Sequence, residues 1–188
     1  MARPRSEDRR NAILGAASRV VATEGLGAST SGIAREAGVS NGSLFVYFET
    51  KSVLLNELYV SLKTEMGAMA VDGLPDGSDP HDQVRHLWDQ WMRWATSHPD
   101  KRRALAQLAV SDDITAESRQ AARSGFGGIA ELLDRCRQRG PVRDAPLGFL
   151  LEIMNAMADA TVDAIQRHPD HAEEYSRIAF DALWRVLG

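Results

Sequence analysis

At 188 residues, 44% hydrophobic and 26% charged, the chain has the size and balance of a folded protein of one large or two small domains, which excludes a disordered polymer. A single cysteine, Cys136, excludes an internal disulfide and fits a reducing cytoplasm. No apolar run reaches the roughly 18 residues of a membrane span, and no apolar core of a secretory signal follows the basic start MARPRSEDRR. The net charge of −4 fits nucleic acid poorly, but its distribution is uneven: residues 1–51 hold seven basic and five acidic side chains, residues 52–188 hold 15 and 21. A phosphate-bearing partner therefore belongs at the front.

The periodicity predicts an all-α chain, with apolar residues recurring at three and four and no alternating strand pattern. The first helix spans about 7–24, burying Ile13, Ala17, Val20 and Val21 and ending at Gly25. A short helix over 30–37, capped by Ser29 or Thr30, is broken by Gly38; a second runs from a Ser40 cap to about Phe48. A longer helix starts near Thr50, and DGLPDGSDP (72–80) is a loop. Further helices are predicted over 81–97, 100–110, 115–139, 146–168 and 171–187.

Two short helices joined by Gly38-Val39-Ser40 form a helix-turn-helix, whose second helix enters the major groove. That accounts for the odd composition of GVSNGSLFVYF: small polar residues at the leading turn approach bases and phosphates, while Leu44 and Phe48 bury behind them. The run TSGIAREAGVSNGSLFVYFETKSVLL resembles the DNA-binding domain of the TetR family of transcriptional regulators. It carries the family's Ile33-Ala34, Ala37-Gly38-Val39-Ser40, Gly42, Phe45, Tyr47-Phe48, Lys51 and Leu54-Leu55 at matching spacing, a likeness covering about residues 10–55. The resemblance implies that Thr30, Tyr47 and Lys51 touch phosphates, that Ser40, Asn41, Gly42 and Ser43 face the groove, and that Arg35 reaches a base or phosphate. Phe45 stands where the family commonly has tyrosine, leaving packing or thymine-methyl contact, and Ser52 replaces a common acidic residue. Arg3 and Arg5 lie either in a minor-groove arm or in a solvated tail.

The resemblance divides the chain into a DNA-binding domain, 1–51, and a helical effector-binding and dimerisation domain, 52–188. The last helix is apolar over a wide arc, and the one before carries Met154 and Met157; Met154, Met157, Tyr175, Ile178, Ala182 and Leu183 are the candidate homodimer interface, the alternative being a helix buried wholly within one subunit. Met66, Trp88, Trp91, Met92, Phe126 and Met154 are candidates either for a ligand pocket, which the resemblance implies, or for plain core. Glu152, Asn155, Asp159 and Asp163 form a polar line that is either a cation-binding wall or a solvated face.

No zinc-protease, P-loop or nucleophile-elbow motif is present, and GFGGIA (125–130) lacks the context of a dinucleotide loop, so no catalytic residue, metal or cofactor is expected. Arg135, Arg137 and Arg139 around Cys136 offer a lowered pKa and a redox-sensitive thiol, against which a lone cysteine with no resolving partner reads as incidental; His168 and His171 bracket a turn at the surface. The expected function is a cytoplasmic, ligand-responsive regulator, a repressor, binding a near-palindromic DNA operator as a homodimer and released by a small molecule. The alternative is a helical protein-interaction module that keeps a helix-turn-helix only as scaffold.

Overall fold

The structure, a computed structural model, describes residues 3–75, 77 and 79–188, with side chains from Ser6 onward. It is all-α, with ten α-helices and no strand among the described residues. In chain order they are α1 (Arg3–Glu24), α2 (Thr30–Glu36), α3 (Asn41–Tyr47), α4 (Lys51–Val71), α5 (Pro80–Ser97), α6 (Pro99–Ala109), α7 (Ala116–Ser124), α8 (Gly127–Arg137), α9 (Leu147–Arg167) and α10 (Ala172–Leu187), with a 3-10 turn at Pro169–His171. No described helix is long and apolar enough to cross a membrane.

Two departures from the expected elements have local causes. The backbone is helical from Arg3, because a proline is tolerated in the first turn of a helix, so the expected arm continues α1; the side chains of Arg3 and Arg5 lie outside the described residues. The helix expected over 115–139 is two, α7 and α8, because Gly125, Gly127 and Gly128 weaken helix where they cluster.

Packing groups the chain into two compact units, neither of them one continuous stretch. The first joins Met1–Glu65 to His98–Ser124. Its centre is α1 lying on α6 and α2, where the small Ala16, Ala17 and Ala104 let helices approach and Ile13, Val21, Ile33 and Leu108 fill the core. Leu54, Leu55 and Leu58 of α4 are buried as well. The buried Asn56 serves as a polar latch: its amide donates to the carbonyls of Ser52 (2.9 Å) and Asp113 (2.8 Å), and its Oδ1 accepts from the Thr115 N–H (2.9 Å). These bonds hold the loop between α6 and α7 against α4, with Arg119 donating to the carbonyls of Ala109 and Ser111 from the other side.

The second unit joins Met66–Ser97 to Gly125–Gly188 and packs α5, α8, α9 and α10 around Trp88, Trp94, Leu133, Leu150, Val162, Phe180 and Leu183. The Trp88 indole donates to Ser176 Oγ at 3.0 Å, tying α5 to α10. Gly140 lies flush against the Leu187 carbonyl, a position where any Cβ would collide with backbone. Arg137 closes α8 by donating to Asp134 and to the carbonyls of Arg143 and Ala145; its guanidinium holds the Asp134 carboxyl below the usual range.

Candidate nucleic-acid interface and ligand cavity

The turn between α2 and α3 depends on Gly38, whose φ of +68° is a left-handed conformation costly to any residue with a Cβ, although space there is open. Each short helix is capped by a serine. Ser29 Oγ accepts the Gly32 N–H at 3.0 Å and Ser40 Oγ accepts the Ser43 N–H at 3.0 Å, so Ser29 and not Thr30 caps α2. Ser40 Oγ also donates to Ser43 Oγ (2.9 Å), which fixes both hydroxyls on the leading turn of α3.

Leu44 and Phe48, four residues apart, are fully buried and decide which face of α3 points outward. Asn41, Gly42 and Ser43 are all exposed on that leading turn. Gly42 has no need of its missing side chain within the protein: a Cβ there would find Ser40 Oγ at 3.9 Å and nothing nearer. Phe45 is 39% exposed, so it is an outward-facing aromatic and not core. Tyr47 is half-buried, with its ring beside the core. Arg35 is exposed on α2, and its neighbour Glu36 is held by Arg19 (2.7 Å), which keeps that carboxylate engaged. Arg10 sits 5.3 Å above the Phe48 ring and pairs with Glu57.

Lys51 has a structural task that its sequence position does not reveal. Its ammonium donates to the Leu26 carbonyl at 2.6 Å, clasping the loop between α1 and α2. A cation at the first residue of α4 opposes the helix dipole, so the clasp offsets a cost. Two of its three N–H donors remain for a phosphate. Lys51→Met is expected to lower stability by about 1.5–3 kcal/mol through loss of this charge-assisted bond. Urea denaturation without DNA checks it; an unchanged midpoint would leave Lys51 only a phosphate role.

Within the second unit lies a cavity of about 150 Å³. Five of the six expected pocket residues line it: Met66, Trp88, Trp91, Phe126 and Met154. Met92 does not, because it is one residue, about 100° of helix, beyond Trp91 and is buried on another side of α5. Leu183 lines the cavity and is 1% exposed, which removes it from any interface a single chain could offer; α9 and α5 cover that side of α10. The other expected interface residues stay at least partly accessible. Ile178 is 50% exposed and Ala182 is exposed, while Tyr175, Met154 and Met157 are half-buried. Phe149, 55% exposed, and exposed Ala156 and Ala160 extend the apolar surface along α9. From the expected polar line, only Asn155 reaches the cavity wall.

Cys136 follows the incidental of its two readings. Burial pushes its thiol pKa up, outweighing the nearby charges of Arg135 and Arg139, so it is a core group and not a reactive thiolate. His171 stacks on Tyr175 (5.4 Å) and pairs with Glu174, and no cluster of metal-ligating side chains occurs among the described residues.

Residues 13–58, which hold this helix-turn-helix, match the family model of bacterial regulatory proteins, tetR family. Over that segment the chain is of the tetR family type. It is 28% identical over 169 residues to the HTH-type transcriptional regulator EthR of Mycolicibacterium smegmatis, covering 87% of this chain and 77% of that one. The crystal structure of a TetR family transcription regulator from Shewanella sp. PV-4 superposes with a TM-score of 0.83 at 26% identity, covering 94% of this chain and 96% of the other. The fold also recurs in the TetR-like regulator LfrR of Mycobacterium smegmatis, solved in complex with proflavine (TM-score 0.66, 21% identity, 93% and 94% covered).

Helix α3 also carries one exposed residue that the motif does not specify. Val46 is 82% exposed beside Phe45, forming an apolar pair behind the polar turn. The signal for it lay in the spacing: Val46 is two residues from both Leu44 and Phe48, which puts it opposite the buried face.

Proposed function

We propose that this TetR-family protein is a cytoplasmic repressor that binds a near-palindromic operator as a homodimer and leaves it when a small molecule occupies the second unit. The observation that carries the reading is the leading turn of α3. Asn41, Gly42 and Ser43 are exposed together, braced by the Ser40 cap and backed by Leu44 and Phe48. A helix start of that kind offers free backbone N–H groups and small polar side chains to base edges and phosphates. Thr30, Tyr47 and Lys51 hold flanking phosphates, Arg35 adds a charge, and Phe45 meets a thymine methyl.

Residues 1–51 serve as the reading domain, and 52–188 sense and pair. Pairing uses the apolar surface of α9 and α10 centred on Ile178, Ala182 and Met157, since a twofold dimer supplies two reading helices to two half-sites. The apolar cavity and the proflavine complex of a fold neighbour support a small-molecule effector. Release follows from population shift: the effector must bind the dimer geometry that fails to fit DNA more tightly than the one that fits.

The test is operator affinity against salt, using duplexes selected from a random pool. A dimer making about 6–10 phosphate contacts loses on the order of a thousandfold or more between 50 and 200 mM salt. Tyr47→Phe lowers affinity for all duplexes alike, whereas Asn41→Ala changes which duplexes are preferred. A protein that stays monomeric in sedimentation and shows no salt-dependent binding would instead be an interaction module built on a helix-turn-helix scaffold.

A further inference from the structure

Two indoles face the same cavity and differ in one respect. Trp88 spends its N–H on Ser176 at 3.0 Å. The Trp91 N–H is buried and has no acceptor, while its ring is held by stacking on Trp94 at 5.5 Å and 25°. A buried donor without a partner is costly, and native proteins seldom keep one without a use. No lining residue bears a charge, and Asn155, at the exposed edge, is the sole polar side chain besides the indoles.

We propose that the cavity takes a neutral, mainly apolar ligand bearing a hydrogen-bond acceptor, and that the Trp91 indole N–H donates to that acceptor. The proposal rests on the effector reading above and narrows it to a ligand class. An ionised ligand would lose its hydration with no opposite charge to meet it, which excludes carboxylates and ammonium groups from the interior. Size sets a further limit: a cavity of about 150 Å³ matches one ring, since an engineered apolar cavity of that volume in another protein takes benzene. Longer ligands enter only as Met66 and Met154 repack, which their flexible thioethers permit. Trp91 is then a specificity group, because a site built to pair a polar atom discriminates against the analogue that lacks it.

Acetophenone and ethylbenzene are matched probes, alike in size and differing by a carbonyl, with benzoate as the charged control. In the full-length protein, acetophenone is expected to move one indole N–H resonance downfield in proton–nitrogen correlation spectra, a peak assigned by its absence in Trp91→Phe. Acetophenone should bind wild type about tenfold more tightly than Trp91→Phe does, the value of one hydrogen bond, while ethylbenzene binds both alike. Equal affinities for the two probes in wild type, binding of benzoate, or no binding of either neutral probe would each overturn the assignment. The wild-type comparison needs no variant, so a Trp91→Phe protein that fails to fold does not remove the test. Operator affinity with saturating acetophenone is measured separately. Trp91-dependent binding that leaves operator affinity unchanged sustains the ligand class and rejects the effector reading.

Discussion

Phe48→Ala is expected to cost about 3–5 kcal/mol, the range for emptying a fully buried aromatic site. The ring is 0% exposed, lies under the Arg10 guanidinium, and follows α3 directly, where its own N–H bonds the Leu44 carbonyl and closes the helix. Deletion therefore removes the buried surface that fixes which side of α3 faces out, and with it the stacking partner of Arg10. Domains of this size are stable by about 5–15 kcal/mol, so the loss reaches a large share of the total and roughly a hundredfold to several thousandfold in the folded-to-unfolded ratio. Urea denaturation followed by circular dichroism measures it. Phe48→Leu should recover most of the loss, because it refills the volume without the ring. A Phe48→Ala midpoint within error of wild type would mean that α3 is held by something other than this contact.

Gly42→Ala should move stability and operator affinity in opposite directions. Glycine inside a helix is less favourable than alanine by about 0.5–1 kcal/mol, and a Cβ at this position meets no atom closer than 3.9 Å, so the free protein gains. On the proposed reading, the same methyl stands on the turn that enters the groove. Displacing that turn in both half-sites is expected to weaken operator binding by at least about tenfold, a loss of 1.4 kcal/mol or more. Thermal unfolding and a fluorescence-anisotropy titration on the same two proteins decide it. A gain in stability with unaltered affinity would show that the turn stays clear of the DNA, and the interface would have to be sought further along α3, at Phe45 and Val46.

The front of the molecule was readable from its residues because its determinants are local. A glycine at positive φ, a serine cap before each short helix and an i, i+4 pair of buried residues act over a few positions, and all are visible as letters. What the letters hid there was the second employment of Lys51, whose partner, the Leu26 carbonyl, is 25 residues away in the chain. The rear was readable only in outline. A helix such as α10, apolar over most of its circumference, does not reveal which stripe its neighbours cover; α5 and α9 bury Phe180 and Leu183 and leave Ile178 and Ala182 accessible. The Trp88, Trp91, Trp94 series posed the same difficulty. All three step by three along α5, yet Trp94 is sealed in the core while the other two border a void. Neighbouring arginines leave Cys136 open between two readings in the sequence, and burial, a property of the fold, decides for the incidental one.

The discontinuity of the first unit bears on how such proteins can be recombined. Because α6 lies on α1, a fragment ending at residue 51 or 65 would leave open to water the part of α1 that α6 covers. Hybrid regulators made by grafting one protein's amino-terminal segment onto another's remainder would thus join two halves of different hydrophobic cores. Exchange of operator preference between relatives is better served by transplanting the outward residues of α3 alone, or by carrying His98–Ser124 along with the graft.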